Sequence, residues 1–474
     1  MQKPLVERVL QFGQGNFLRS FCGWMFSEMN KKLHTDFGIV MVQPIAEGNI
    51  EAFDAQQCSY TVCLQGYQEG KPSKTNYLCR AVTRGLNPFT QYNDFLALAR
   101  MPDLEYIISN TTEAGIEFCP SDKFEEAPAV SFPGKVTRLL FERYKAFNGD
   151  REKGWIFLPC ELIEHNGTRL RDAILQYVDL WQLGSEFRQW VETENYFCNT
   201  LVDRIVPGFP ASQVPMLWDE LGYEDPLCTM AEPFHLWVIE TTRDLSERLP
   251  FRQAGLNVLW VPDVTPYRNR KVYILNGIHT GMTPMAWLMG LETVSEALNE
   301  ERVQRFVQKL VYDEILPMLT LPAAELNAFA EEVFLRFRNP FLRHELQGIL
   351  LNSASKFKAR NLPVMLSYIE KRGQIPPMMS LSLAALLFYF RGIRLQQTVA
   401  IRDTPEMKTL FEGLWSRCDG SPDACRVLAK EVLQNRSLWN SDLSVLPNLT
   451  ERVAGLLASM CERGVEATLE QELA

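Results

Sequence analysis

The chain has 474 residues, of which 46% are hydrophobic and 22% are charged, and its formal net charge is −10. These values are typical of an ordinary globular protein, and the length predicts two domains rather than one. The negative charge argues against nucleic acid or an anionic membrane as the main partner, although a local basic pocket can still bind a small anion.

Three further features bear on location and on metals. The densest apolar run, Leu381 to Phe390, has about ten residues and is too short to span a bilayer. The first residues contain no apolar signal core, and the eleven cysteines include no Cys-x-x-Cys pair, so we expect a cytoplasmic protein with reduced thiols. The five histidines are far apart in the sequence, and no metal site is predicted.

The chain begins with the pattern of a strand, a glycine turn and a helix, which is the phosphate-holding unit of a dinucleotide fold. Residues Arg8 to Phe12 form the predicted strand. Gly13 would permit the tight turn, and Gly15 would let the backbone approach a pyrophosphate. Leu18 holds the place of the usual third glycine, and Arg19 could contact a phosphate. A strand, turn and helix without a ligand is an equally good interpretation of this stretch alone.

Two later strand ends add to this prediction. A second strand, Gly38 to Pro44, follows at βαβ spacing, but Gln43 stands near the place where an acidic ribose ligand is expected. The lack of a nearby arginine cluster favours NAD slightly over its phosphorylated form. The strand Leu104 to Asn110 leads into Thr112 and Glu113, which would lie at the carboxyl edge of the sheet, where ligands gather. A polar helix-capping loop is the alternative.

Strands and helices continue to alternate up to about residue 262. The predicted elements are a hairpin of residues 60–67 and 75–82, helices at 133–147, 170–183 and 187–191, and strands at 155–159, 235–240 and 258–261. Between them, Thr200 to Gly208 lacks periodicity and predicts a turn that exposes Asp203 beside Arg204, as in a surface salt bridge. We therefore expect an α/β domain with a largely parallel sheet over residues 1–264.

After Pro266 helical periodicity dominates. Helices are predicted at residues 271–289, 294–310, 323–338, 341–360, 362–371, 381–389, 407–417, 424–433 and 446–463. We expect a mostly α-helical second domain over residues 265–474, with a cleft between the two halves.

The first of these helices carries Lys271, Asn276 and His279. At about 100° per residue on an α-helix they lie near 0°, 140° and 80°, so all three can project from one side. Small neighbours, Gly277 and Gly281 among them, would leave room for a ligand. A lysine desolvated in such a cleft has a lowered pKa and can exchange a proton with a hydroxyl while a nicotinamide exchanges hydride. An amphipathic core helix is the alternative.

The spacing Lys-x-x-x-x-Asn-x-x-His and the N-terminal Phe-Gly-x-Gly-Asn-Phe-Leu-Arg together resemble the mannitol dehydrogenase family of metal-independent, polyol-specific long-chain dehydrogenases. The resemblance spans essentially the whole chain. Its other stretches are residues 109–116, 153–163, 200–205 and 336–340.

The resemblance implies a Rossmann-type domain, a helical domain and an active site between them. Lys271 would be the general acid in ketone reduction, Asn276 would donate to the oxyanion and His279 would orient the substrate and the lysine. Asp203 would belong to a proton route near the lysine. The turn from Val9 to Ser20 would hold NAD. Its candidate contacts are Phe12, Gly13, Gly15, Asn16, Phe17, Leu18 and Arg19, with Thr112 and Glu113.

Two departures from the family pattern point to the substrate. Leu162 stands where mannitol-type members have a second oxyanion asparagine, although Asn166 is near in sequence. Arg268 stands where they have an acid three residues before the lysine. We expect Arg268, with Lys356, to bind the carboxylate of a sugar acid.

The resemblance implies, as the expected activity, the reversible NADH-dependent reduction of the keto sugar acid D-tagaturonate to D-altronate in hexuronate catabolism. The alternatives are reduction of D-fructuronate, oxidation of a neutral polyol such as mannitol or arabinitol, and a regulatory nucleotide-binding protein without turnover. Members of this family are often monomers, and nothing in the sequence demands an oligomer.

Overall fold

The computed structural model describes residues 4–68, 70–112, 115–211 and 213–474. The chain forms two compact units, Met1–Val264 and Thr265–Ala474. Glu113, one of the predicted cofactor-binding residues, lies outside the described residues. Each unit buries hydrophobic residues of its own.

A parallel sheet forms the centre of the N-terminal unit. The strands of this unit are β1 Val6–Phe12, β2 Phe37–Val42, β3 Tyr60–Gln68, β4 Lys71–Cys79, β5 Val82–Leu86, β6 Tyr106–Ser109, β7 Ile156–Pro159, β8 Tyr196–Phe197, β9 Thr200–Asp203, β10 Thr229–Ala231, β11 Leu236–Glu240 and β12 Val258–Val261. Within the described ranges, the central sheet has six strands in the order β5-β2-β1-β6-β7-β8. All neighbouring strands in it are parallel, which confirms the predicted Rossmann-type sheet.

The remaining strands form two smaller sheets. The predicted hairpin is confirmed as the antiparallel pair β3 and β4, which β10 extends by pairing parallel to β3. Its second strand begins earlier than predicted, because Lys71 already pairs with Gln68. In the third sheet, β11 pairs antiparallel to β9 and parallel to β12.

Helices cover both faces of the central sheet. They are α1 Asn16–Leu18, α2 Trp24–Leu33, α3 Glu51–Ala55, α4 Tyr92–Ala97, α5 Phe132–Ala146, α6 Asn166–Leu180, α7 Ser185–Glu194 and α8 Val214–Leu221. Alternate residues of one strand enter different cores: Val9 packs into one hydrophobic cluster, and Leu10 packs into the other. A parallel sheet buried on both faces in this way exposes its ends, so the polar residues that follow the strands are the ones available to a ligand.

The prediction that Asp203 and Arg204 form an exposed pair is wrong. Asp203 ends the buried strand β9, and both side chains are buried. The Arg204 guanidinium donates to the carbonyl oxygens of Glu232 and Ser20 and lies 4.2 Å from the ring of Trp24. Burial lowers the pKa of Arg204 to about 9. A four-residue strand is too short to show clear alternation, so the pattern resembled a turn.

The C-terminal unit is built from helices. They are α9 Thr265–Arg270, α10 Gly277–Leu288, α11 Val294–Asn299, α12 Glu301–Lys309, α13 Ala323–Phe337, α14 Leu346–Leu350, α15 Ser353–Arg360, α16 Leu362–Arg372, α17 Pro377–Tyr389, α18 Pro405–Trp415, α19 Pro422–Gln434, α20 Arg436–Trp439 and α21 Leu449–Leu473. A two-stranded hairpin, β13 Ile393–Arg394 with β14 Gln397–Thr398, interrupts them. The predicted mostly helical second half is confirmed.

The predicted single helix over residues 341–360 is wrong. The structure has two helices here, α14 and α15, and residues 341–345 are not helical. Asn352 lies between the two helices with φ +53°, in the left-handed region that asparagine tolerates better than most residues. This break turns the chain so that α15 has its own direction, which matters for the site.

Helix α17 is deeply buried: its residues from Met378 to Tyr389 are all buried. No helix in the described ranges is long and apolar enough to cross a membrane. The carboxylate of Glu314 accepts hydrogen bonds from the backbone N–H groups of Met378 and Met379, at 2.6 and 2.8 Å. Burial of Glu314 nevertheless raises the pKa of this carboxyl to about 7.

Glu314→Gln should change how stability depends on pH. The folded-state pKa of Glu314 lies above its unfolded value, so the wild type has its full stability below about pH 4.5 and loses part of it as pH rises to about 7. The loss should be on the order of 2 kcal/mol. The neutral variant lacks this loss, so its apparent Tm relative to wild type should improve between pH 5 and pH 7.5. A Tm difference that stays constant with pH would contradict this.

Candidate functional site

The first part of the site is the turn at the carboxyl end of β1. Gly13 has φ +126°, a conformation that residues with side chains rarely adopt, and its N–H donates to the carbonyl of Val42 at 3.0 Å. An added Cβ there would meet Leu18 Cδ1 at 3.0 Å, so Leu18 packs under the turn. A Cβ on Gly15 would meet nothing within 4 Å. The backbone at Gly15 is therefore open to a ligand.

A helix starts directly from this turn. It runs as α1, a π-helical segment Arg19–Gly23 and α2, with the Asn16 end nearest the turn. The first N–H groups of a helix have no backbone acceptor and carry a partial positive charge. An open glycine followed by such a helix end fits the pyrophosphate of a dinucleotide.

Arg19 is bonded to its own turn, and its contact with a phosphate stays a prediction. Its guanidinium is buried, and it donates to the Gln14 carbonyl and to Asn16 Oδ1, both at 2.7 Å. Tyr60 and Phe53 flank it, and burial lowers its pKa from a very high ordinary value. Arg19 thus fastens the turn to its own helix. The hydrogen bonds to Gln14 and Asn16 keep the shape of the binding loop.

Gln43, at the end of β2, also serves its own loop. Its amide nitrogen donates to the carbonyls of Ile45 and Ala46 at 3.0 Å, and its oxygen accepts from the N–H of Ile50. The side chain is buried. Gln43 therefore replaces the expected ribose-binding acid with a loop-stabilising amide, and exposed Ile45 follows it on the surface.

Glu161 shapes the loop that follows β6, and the sequence analysis missed it. Its buried carboxylate accepts from the N–H and hydroxyl of Thr111 and from Ser109 Oγ, at 2.9–3.1 Å. Burial raises the pKa of Glu161. Asn110 donates to the carbonyl of Cys160 at 2.6 Å. These bonds hold the start of the loop that carries exposed Thr112; the sequence signal was an acid directly after a buried strand.

Asn166 is not available as a second oxyanion donor. Its amide nitrogen donates to the carbonyls of Pro159, Glu161 and Thr200 at 3.0–3.1 Å. Its oxygen accepts from backbone N–H groups. Leu162, at the place of the family asparagine, is 67% exposed.

The C-terminal unit carries candidate residues of its own, and they start in a π-helix. Lys271 and Asn276 are the first and last residues of a π-helical segment that follows α9, and α10 begins at Gly277. In a π-helix residues five apart are bonded partners, whereas an α-helix pairs residues four apart. Lys271 and Asn276 therefore lie closer to one line along the helix than the 140° of the α-helical calculation. The amine and the carboxamide are brought to the same side.

Neighbouring helices hold this segment. Asn361 is fully buried, and its amide nitrogen donates to the carbonyl of Gly277 at 3.0 Å, where the π-helix becomes α. An added Cβ on Gly281 would meet Ser382 Oγ at 2.9 Å. These glycines admit adjacent helices, which corrects the expectation that they leave room for a ligand.

His279 is a neutral imidazole inside this unit. It is 6% exposed, its ring stacks on Phe337 with the centroids 4.0 Å apart, and the edge of His344 lies 4.8 Å away. Its Nε2 atom is buried and has no hydrogen-bond partner among the described residues. Burial, and then the charges of His344, Arg360 and other bases, hold the pKa of His279 well below its usual value. A buried ring nitrogen without such a partner is a candidate contact for a ligand.

Basic side chains of α15 reach the same region. Arg360 Nη1 donates to Thr280 Oγ1 at 3.2 Å, and Lys356 Nζ donates to the carbonyl of Ile349 at 2.8 Å. Burial lowers the pKa of both cations. Arg268 is half-buried on α9, one turn before Lys271. The parts of the chain that the structure describes contain no cluster of metal-binding side chains.

Gly13→Ala should weaken cofactor binding. The methyl group would force an unfavourable φ and press on Leu18, which displaces the turn. We expect the KM for NADH to rise about tenfold or more, corresponding to 1–2 kcal/mol of strain. Gly222→Ala is the control, because Gly222 also has positive φ but its Cβ would meet nothing within 4 Å. Equal KM values for the two variants would contradict the assignment.

The chain was compared with known proteins. The mannitol dehydrogenase Rossmann-domain model matches residues 7–253, and the mannitol dehydrogenase C-terminal-domain model matches residues 263–461. The altronate oxidoreductase of Phocaeicola vulgatus is 43% identical, covering 99% of this chain and 97% of that protein. The altronate oxidoreductase of Bacillus subtilis is also 43% identical, covering 98% and 95%.

Two solved structures share the fold. The Pseudomonas fluorescens mannitol 2-dehydrogenase, in a ternary complex with NAD and D-mannitol, matches with a TM-score of 0.72 and 21% identity, covering 98% of this chain and 94% of that one. A substrate-free D-sorbitol dehydrogenase matches with a TM-score of 0.82 and 23% identity, covering 98% and 95%. Both domain models and the near-full-length relatives agree: the chain belongs to the mannitol dehydrogenase family and is an oxidoreductase acting on CH–OH groups.

Proposed function

We propose that the protein is an NAD-dependent sugar-acid oxidoreductase that interconverts D-altronate and D-tagaturonate. The observation that carries the proposal is the site on the C-terminal unit. There a lysine, an amide and a neutral histidine share one helical stretch, with basic side chains around the histidine. Altronate oxidoreductases at 43% identity over nearly the full chain support an acid as the substrate.

The N-terminal unit fits a nicotinamide dinucleotide, whose chemistry when bound is the transfer of a hydride to or from the substrate carbon. Gly13 and Gly15 would hold the backbone close to the pyrophosphate, and the Asn16 helix end would face its charge. Residues 37–50 contain no lysine or arginine that could bind a ribose phosphate, while Glu47 is exposed there. This composition supports NAD rather than its phosphorylated form.

The residues of the C-terminal unit would handle the proton and the oxygen. Lys271 would give a proton to the carbonyl oxygen during reduction and remove it from the hydroxyl during oxidation. Asn276, brought to the same side by the π-helix, would donate to that oxygen as negative charge develops. His279 would contact a neighbouring hydroxyl through its free Nε2. The proton route assigned to Asp203 stays a prediction.

The oxidation direction tests the proposal. The purified protein is mixed with D-altronate, D-mannonate or D-mannitol and with NAD or NADP, and the appearance of reduced cofactor is followed. We expect rapid reduction of NAD with D-altronate, and D-tagaturonate as the product. A clear preference for D-mannonate or D-mannitol would contradict the proposal that D-altronate is the substrate. A preference for NADP would contradict the proposal that NAD is the cofactor.

A further inference from the structure

Arg360 is a cation with an unusual environment. It is the last residue of α15 and is partly buried. Its guanidinium donates a hydrogen bond to the uncharged hydroxyl of Thr280, and no carboxylate in the described ranges lies within ion-pair distance of it. Three other buried or partly buried arginines of this unit do have acidic partners: Arg270 pairs with Glu325, Arg394 with Glu292 and Arg452 with Glu472. A desolvated guanidinium without a counterion is costly unless a ligand provides the negative charge.

The position of Arg360 suits one end of a sugar-acid chain. Thr280, which Arg360 contacts, follows Asn276 by four residues on α10, so the two lie on one face and about 6 Å apart along the axis. In a hexulosonate the ketone is near one end of the six-carbon chain and the carboxylate is at the other end. A molecule whose ketone faces Asn276 can therefore extend one helical turn towards Arg360.

We propose that Arg360 is the receptor for the carboxylate of the substrate and thereby determines the preference for sugar acids over neutral ketoses. This rests on the proposed function. A guanidinium can donate two parallel hydrogen bonds to a carboxylate, which an ammonium cannot do. Lys356, four residues earlier on α15, adds positive charge to the same side. The sequence suggested Arg268 with Lys356 for this role, and the structure adds Arg360, a partly buried cation beside Thr280.

The surroundings of His279 agree with an anionic ligand. The charges of Arg360, Arg336 and Lys356 all act on this buried ring and help to hold its pKa low. A bound carboxylate would offset these charges. The free Nε2 of His279, next in sequence to Thr280, supplies a second polar contact in the same place.

The test compares two substrates that differ only in charge. NADH-dependent reduction of D-tagaturonate and of D-tagatose, which has CH₂OH in place of the carboxylate, is measured for the wild type, Arg360→Gln and Arg360→Lys. For Arg360→Gln we expect kcat/KM for D-tagaturonate to fall about 30- to 1,000-fold, mainly through KM. The value for D-tagatose and the KM for NADH should stay within about threefold of wild type. For Arg360→Lys we expect a kcat/KM for D-tagaturonate between those of the wild type and Arg360→Gln, because lysine keeps the positive charge but cannot form the two parallel hydrogen bonds.

Lys358→Gln is the matched control. Lys358 is a cation on the same helix, but it lies two residues from both Arg360 and Lys356 and so faces elsewhere. Its kinetic constants should match the wild type. Equal losses on both substrates in Arg360→Gln would assign Arg360 a structural role and overturn the proposal, as would an unchanged KM for D-tagaturonate. A wild type that reduces D-tagatose as well as D-tagaturonate would instead overturn the proposed function, and the role of the carboxylate with it.

Discussion

Lys271→Met should lower kcat for ketone reduction by about 10²–10⁴-fold, the usual contribution of a positioned proton donor. Methionine has a similar length and shape, so the π-helical segment that begins at Lys271 should persist. The KM for NADH should stay close to wild type, because the dinucleotide turn belongs to the other unit. Steady-state rates of NADH oxidation give both constants.

The control for this prediction is Lys309→Met, which removes an exposed lysine at the end of α12. It should leave kcat unchanged. If Lys271→Met kept more than about a tenth of the wild-type kcat, another group would have to supply the proton, since general acid catalysis is worth at least about 10²-fold.

Asn276→Ala should lower kcat by about 10²–10³-fold, the cost of removing one donor from an oxyanion site. The π-helix places the Asn276 carboxamide on the same side as Lys271, so both groups are expected at the reacting oxygen. Asn276→Asp should be slower than the alanine variant, because a carboxylate near the developing negative charge repels it. The kcat values of the two variants, measured at saturating substrate, check the order.

A different outcome would separate binding from catalysis at Asn276. If Asn276→Ala raised KM and left kcat unchanged, the amide would bind the substrate and the transition state equally well. Asn361→Leu offers a related comparison, because it removes the amide that holds the Gly277 carbonyl while Asn276 remains. We expect a smaller decrease in kcat for Asn361→Leu, through displacement of the π-helix.

The architecture could be predicted from the sequence because hydrophobic periodicity reports directly on strands and helices. The alternating apolar strands before Val264 and the helical repeats after Thr265 each have one dominant period, and the structure follows them. The glycine turn was recognisable because Gly13 and Gly15 meet a backbone requirement that few residues can meet.

The details of the site could not be predicted in the same way. A helical-wheel calculation assumes 3.6 residues per turn, so it cannot show the π-helical turns between Lys271 and Asn276. Arg360 lies 80 residues from Thr280 in the sequence, and α15, which ends in Arg360, starts after a helix break at Asn352. Such contacts depend on tertiary packing, which local patterns do not encode.

Buried polar residues account for the other predictions from the sequence that were wrong. Arg204 was predicted to lie in a surface turn, and Asn166 was a candidate oxyanion donor. The structure buries both residues, and their polar groups bond to the backbone. A single sequence shows that a residue is polar, but not whether the fold satisfies it internally.

The most direct test of the account is NADH oxidation with D-tagaturonate, D-fructuronate and D-fructose, measured side by side for the wild type and Lys271→Met. We expect strong turnover of D-tagaturonate by the wild type, weak turnover of the other two substrates, and loss of D-tagaturonate turnover in the variant. A preference for D-fructuronate or D-fructose would contradict the proposal that D-tagaturonate is the substrate. A preference for D-fructose would also contradict the proposed carboxylate site at Arg360. Binding of NADH without turnover of any of the three would contradict the enzymatic role itself.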